Sequence, residues 1–195
     1  PGLREWRILS INSSEFSLVT SHVAAANGPI TPIEGAVDGN FVNSTSTEPE
    51  MGYVQPLSNG DKVHSSGSYV AARNVAHLFT DVVGDWGRAW HGQSGMTQMK
   101  AVYEFATQKN ANLMTFWNVP GNNHYAGPIA IEYWNGSEYV AVSNPSAAGF
   151  TNATFNEQIS ITFDTVSTTK LKITVDKHAS NNTSYVGLSE WRIAF

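Results

Sequence analysis

The second half of the chain alternates. Met99, Ala101, Tyr103 and Phe105 are interleaved with Gln98, Lys100, Val102 and Glu104, the period of two that a strand shows when one of its faces is buried. ANLMTFW, at 111–117, is apolar more continuously, and IAIEYW, at 129–134, alternates again. Asn135-Gly136 then precedes SEYVAV, a dipeptide that favours the left-handed turn of a tight hairpin. QISITFD and KLKITVD each put three apolar residues on one face: Ile159, Ile161 and Phe163, then Leu171, Ile173 and Val175. The closing EWRIAF sends Trp191, Ile193 and Phe195 the same way. Short strands separated by turn-rich stretches, with no regular helix between them, predict an all-β fold, an antiparallel β-sandwich or barrel.

The first half is less patterned. Residues 10–60 carry Gly, Pro, Asn and Ser throughout, and NSTSTEPEMG (43–52) reads as an exposed loop. In SYVAARNVAHLFTDVV the apolar positions Val70, Val75, Leu78, Phe79, Val82 and Val83 fit neither the helical nor the strand period. One near-repeat stands out: Gly2-Leu3 and Glu5-Trp6-Arg7-Ile8 recur as Gly187-Leu188 and Glu190-Trp191-Arg192-Ile193. Two readings fit it. Residues 1–10 are the last strand of a preceding homologous module, or they form a strand of this domain that pairs near its own C-terminus; the spacing of one domain favours the first.

Composition narrows the class. All-β domains often reach 195 residues as single units, so one domain spanning 1–195 is expected. Charged residues make up 14%, and the polar remainder is Ser, Thr, Asn and Gly, which suits strands joined by polar loops. The eleven Lys and Arg are scattered within a net charge of −5, so no basic stripe is available for nucleic acid or for an anionic membrane. No apolar run approaches the roughly 20 residues of a membrane-spanning helix. Cysteine is absent, which excludes disulfides and thiolate metal sites.

Several pieces, in order, resemble a known family. Ala36-Val37-Asp38-Gly39-Asn40, Ala89-Trp90-His91 before the VYEF strand, IEYWNGSEYVAV, ITFDTVSTTKLKITV and the closing GLSEW are similar to the galactose-binding-like jelly-roll sandwich of coagulation factor type C (discoidin) domains and family 32-type carbohydrate-binding modules. The resemblance covers most of residues 28–195. It implies an extracellular, non-catalytic module that holds a bacterial polysaccharide-degrading enzyme against polysaccharide or oligosaccharide, with neighbouring catalytic or binding domains in a larger chain. It also implies a structural Ca²⁺, a hard cation that takes six to eight oxygens. Carried over, the pattern puts the carboxylates of Asp38 and Glu190 on the ion, with carbonyls near Gly35, Asn40 and Ser189. The family usually has Thr where this chain has Asn43, which departs from the ligand pattern. It also has a much shorter stretch between the Asp-Gly and Trp-His motifs, so 46–85 reads as an inserted loop region able to extend or cover a binding face.

Sugars are held by an aromatic ring against the C–H face of the pyranose, with polar side chains around the rim. Three loops carry that mixture. FWNVPGNNHYAGP offers Trp117, Asn118, Asn122, Asn123, His124 and Tyr125; GDWGRAWHGQ offers Trp86, Arg88 and His91; KHASNNTSYVG offers Tyr185. Trp90, Trp134 and Trp191 lie on or beside alternating strands and are expected to be packed inside. His22, His64, His77 and His178 are too dispersed to assign, and none has the spacing of a zinc helix.

No nucleophile elbow, phosphate-binding loop or dinucleotide fingerprint is present. The realistic enzyme alternative is a small β-sandwich polysaccharide lyase with His91, His124, Tyr125 and Arg88 as acid, base and neutraliser. Uronate chains demand clustered cations, however, and this chain is acidic and poor in Arg. A discoidin-type adhesion domain with apolar loop tips is a further alternative, disfavoured by loops this rich in Asn.

Overall fold

The computed structural model describes residues 44–57, 59–66, 75–79, 89–92, 95–119, 126–152, 156–180 and 185–195. Among the described residues nine strands run β1 (Ser44–Thr45), β2 (Tyr53–Pro56), β3 (Lys62–Ser65), β4 (Trp90–His91), β5 (Gln98–Asn118), β6 (Ala126–Trp134), β7 (Tyr139–Ala141), β8 (Gln158–Lys177) and β9 (Gly187–Ala194), with a 3-10 turn at Val75–Phe79. All pairings are antiparallel.

The two segments expected before and after residue 106 are one strand, and so are QISITFD and KLKITVD. β5 and β8 each serve both layers, because their register breaks between Glu104 and Lys109, where four β5 residues face one on β8. Before that break β5 pairs with β3 and with β8 residues 170–176; after it, with β8 residues 158–168 and with β9. The first layer is therefore β1-β2-β3-β5-β8-β6-β7, and the second is built from β8, β5, β9 and β4. A bulge of this size bends a strand pair and frees backbone groups. Asp61 takes up one of them: its Oδ1 accepts the Ala106 N–H at 2.7 Å, and its Oδ2 accepts the Tyr103 hydroxyl at 2.6 Å and Asn59 Nδ2 at 2.8 Å. Burial, then the Asp61 carboxylate, pushes the Tyr103 phenol far above its ordinary value.

The layers meet through aromatic rings. Tyr103 and Phe105 of β5 lie 6.3 Å from Trp191 and 5.4 Å from Phe195 respectively, and Phe79 touches both Tyr103 and Trp191. Trp90 and Trp191 are fully buried, as expected, and the Trp90 indole donates to Ser65 Oγ at 3.2 Å. At about 25 cal/mol per Å², an indole that removes roughly 200 Å² from water contributes on the order of 5 kcal/mol.

Three expectations change. NSTSTEPEMG is not simply an exposed loop: Ser44–Thr45 pairs with β2, and Glu48 and Met51 are buried. Within the stretch expected to be an inserted loop, β2 and β3 form a hairpin that extends the first layer through β5. Its four-residue strands are too short, and too interrupted by Pro56 and Asn59-Gly60, to show a period. Trp134 also lies outside the packed interior, half-buried on the far face of the first layer beside Tyr139. The Asn135-Gly136 hairpin forms as expected, with Gly136 at φ 107° and Asn135 Oδ1 accepting the Ser137 and Glu138 N–H groups. Residues 1–10, with the first copy of the near-repeat, lie outside the described residues.

Candidate functional site

Because β5 climbs one layer and descends the other, its two ends lie at the same end of the sandwich. Asn118 ends β5 in the second layer, and its Oδ1 accepts the N–H of Val119 at 3.0 Å and of Ala126 at 3.1 Å. Ala126 begins β6 in the first layer opposite Lys177, and the Lys177 N–H donates to Thr97 O just before β5. β4 reaches the same end, with Trp90 opposite Leu188 and Leu188 also opposite Asn118. The ends of β4, β5 and β8 and the starts of β6 and β9 thus converge.

Asn118 is the base clamp of the loop that carries Asn122, Asn123, His124 and Tyr125. Those four, with Trp86 and Arg88, lie outside the described residues. The Asn118 side chain is fully buried, and its Nδ2 has no hydrogen-bond partner among the described residues.

His91 and Tyr185, drawn from two different candidate loops, come together with ring centroids 6.0 Å apart at 80°. Gly187 makes this possible: a Cβ there would lie 2.4 Å from Trp90 O and 2.6 Å from His91 Cβ, so only glycine lets β4 approach β9. His91 is buried, and its Nδ1 donates to Gly92 O at 3.2 Å, which fixes that tautomer in the neutral ring. Tyr185 is half-buried.

Trp117 differs from the expected open platform. It faces away from the core, opposite in sense to Phe116 and Trp191, yet it is only 9% exposed, with the Arg192 guanidinium 4.7 Å from its ring centre. Arg192 covers the ring because a cation over an indole face gains electrostatic energy that an uncovered ring lacks. Glu190 stands opposite Trp117, is 1% exposed, and accepts Arg192 Nε at 3.4 Å. Beside it Ser189 is the extra residue of a bulge, and its hydroxyl donates to Asn118 O at 3.0 Å. Asp38, Gly35, Asn40 and Asn43, the other residues carried over for calcium, lie outside the described residues. The described part of the donor set is a buried carboxylate beside a bulged backbone, a chemistry that fits a hard cation.

A second polar cluster was not legible from the sequence. On the outer face of the first layer His64 Nε2 lies 2.9 Å from Glu104 Oε2, and His64 Nδ1 lies 2.8 Å from Ser46 Oγ. Glu48 reaches over from the segment between β1 and β2, accepting the Tyr139 hydroxyl at 2.7 Å and the Lys170 ammonium. Lys170 stands over Trp134, and Lys172, paired with Glu132 at 2.6 Å, stands over Tyr139. Burial holds His64 below its ordinary value despite the Glu104 carboxylate. Burial pushes Glu104 up, but the His64 hydrogen bond and Lys62 outweigh it and hold the carboxyl low. Burial and the Glu48 carboxylate push the Tyr139 phenol far up.

No family model matches the chain, and no curated relative does. Solved structures do match it, and those named here are carbohydrate-binding modules. The family 32 module of Clostridium perfringens NanJ, solved with galactose, aligns at TM-score 0.54 and 15% identity over 69% of this chain and 93% of that one. The C. perfringens module CpGH89CBM32-5, solved with GalNAc-β-1,3-galactose, aligns at 0.52 and 12% over 68% and 94%. Chitosan-binding module 1 of a Paenibacillus chitosanase/glucanase aligns at 0.51 and 12% over 67% and 92%. The fold is thus the galactose-binding-like β-sandwich of family 32-type modules. At these identities the fold is what is shared.

Proposed function

We propose that the chain is a non-catalytic carbohydrate-binding module whose ligand meets the end of the sandwich where the ends of five strands converge. The observation that carries this is the convergence itself: it brings His91 and Tyr185 together and pins, through Asn118, the base of the Asn-, His- and Tyr-rich loop. The fold adds support, since the solved modules that share it were captured with galactose or GalNAc-β-1,3-galactose, or are named for binding chitosan. In this reading Tyr185 and the residues of 122–125 touch sugar. His91 and Asn118 are buried and position them.

Such a module acts through effective concentration, holding attached catalytic domains of an extracellular enzyme near a polymeric substrate. A structural Ca²⁺ belongs to the same proposal, with Glu190 as its described carboxylate and Asp38, Gly35, Asn40, Asn43 and Ser189 completing the set. It would neutralise a carboxylate otherwise buried beside Trp117 and tie β9 to the Asp-Gly segment. A glycan array probed with the purified chain, paired with an assay for unsaturated products on uronate polysaccharides, tests the reading. Saturable retention on at least one glycan without product supports it, whereas steady product release would replace it with a lyase.

A further inference from the structure

The cluster on the outer face of the first layer lies away from the convergent end and has no role in the sugar reading. Glu48, His64 and Glu104 each present one donor atom, and the three atoms lie within 4.8 Å of one another. Three independent chain segments supply them: the connection between β1 and β2, strand β3, and strand β5. His64 sits opposite Val102 and Lys62 opposite Glu104, so the imidazole and the Glu104 carboxylate are diagonal neighbours on one face. His64 and Glu48 are 2% and 8% exposed, and the Glu104 side chain is 25% exposed, which leaves one side of the cluster open to water.

We propose that Glu48, His64 and Glu104 form a binding site for a zinc-class divalent cation, which pins the segment around Ser46–Glu48 to the sheet. One imidazole and two carboxylates with an open position suit zinc or a neighbouring transition metal better than Ca²⁺, which prefers oxygens throughout. Zinc bonds of about 2.0–2.2 Å place tetrahedral donors roughly 3.3–3.6 Å apart, so small side-chain rotations close the site.

The metal-free contacts show what must rearrange. Nε2 now donates to Glu104 Oε2, so Ser46 Oγ donates to Nδ1; binding at Nε2 moves the ring proton to Nδ1, where the same Ser46 oxygen can accept it. A hydroxyl that serves both tautomers is the outer-shell partner a metal-binding imidazole needs. The Lys170 ammonium gives up Glu48 Oε1 and keeps its place over Trp134, while Tyr139 stays on Glu48 Oε2 and Lys62 on Glu104 Oε1. The cation thus takes over a position that a lysine ammonium holds in its absence. Two carboxylates and one neutral imidazole balance its charge.

Titration of the chelator-stripped full chain with ZnCl₂, in saturating CaCl₂ so that any calcium site is already filled, tests this. Calorimetry should give one saturable site, and Tm should rise with free zinc as linkage demands. His64→Asn and Glu104→Gln should each abolish both responses, and Ser46→Ala should weaken binding by about tenfold. Should His64→Asn fail to fold, Glu104→Gln decides alone, since its side chain is partly in solvent and the change is nearly isosteric. No saturable zinc binding, or binding kept in the variants that fold, would overturn the site.

Discussion

Asn118→Ala is the sharpest perturbation of the convergent end. It removes the oxygen that accepts the N–H groups of Val119 and Ala126, both fully buried. Each buried donor left unpaired costs about 1–3 kcal/mol, a loss of roughly 2–6 kcal/mol for the pair. The variant also removes Nδ2, which has no hydrogen-bond partner among the described residues and whose burial then carries a similar penalty of about 1–3 kcal/mol. The net expectation is therefore a loss of about 1–3 kcal/mol. For a domain of this size each kcal/mol moves Tm by roughly 2–4 °C, so differential scanning calorimetry should record a fall of about 4–8 °C near the middle of that range. Affinity for any glycan hit should fall at least about tenfold, because the loop that carries residues 122–125 loses its base and the ligand must order it. Asn118→Asp gives a second, pH-resolved reading. It keeps one acceptor oxygen but makes a carboxyl whose burial raises its pKa, so its deficit should grow as pH rises above the unfolded aspartate value of about 3.9. A Tm within about 1 °C of the parent for Asn118→Ala, with glycan affinity intact, would refute the clamp.

Trp117→Ala should lower Tm by an amount consistent with losing a buried ring under Arg192, about 3 kcal/mol, and weaken glycan binding only through that loss. Abolished binding at unchanged Tm would instead make the ring a direct sugar contact. Calcium chelation should lower Tm in the parent and leave Glu190→Gln unmoved, and an equal shift in both would put the ion elsewhere or nowhere. Stability should also decline as pH falls below 6.5, in denaturant titrations without added metal. His64 is held below its ordinary value of 6.5, so the unfolded chain takes that proton first, and Glu104, held below 4.5, adds loss further down. The charged groups acting on His64 are Glu104, Glu48 and Lys170, with Ser46 bonded at Nδ1. A slope of opposite sign between pH 6.5 and 5 would show that the carboxylates, not burial, dominate the imidazole.

The sequence carried the fold wherever burial imposes a period. Met99 to Phe105, Ile159 to Phe163 and Leu171 to Val175 alternate because one face of each packs against the other layer, and Asn135-Gly136 marks its turn because few residues accept φ 107°. The bend was hidden, since nothing in ATQK (106–109) announces that one strand will serve two layers; the acceptor for Ala106 comes from Asp61, a contact across 45 residues. β1 to β3 were hidden because strands of two to four residues answer to pairing with one another and, through β3, with β5 rather than to a pattern of their own. At the site, His91 and Tyr185 were legible as loop aromatics and Gly187 explains why they meet. Trp117 was legible as a strand-end aromatic, but its cover was not, because that depends on Arg192 three positions beyond a bulge on another strand. The Glu48, His64 and Glu104 cluster had no local signal. Only strand register and a crossing segment bring it together.

Amide chemical-shift mapping of the ¹⁵N-labelled chain with a glycan-array hit shows whether sugar meets the convergent end of the sandwich. Perturbations are expected at 119–126, at His91 and Gly92, and at Tyr185 to Gly187, with β2, β3, β7 and the rest of β6 unmoved. Shifts confined to the outer face around Trp134, Tyr139 and Lys172 would contradict it.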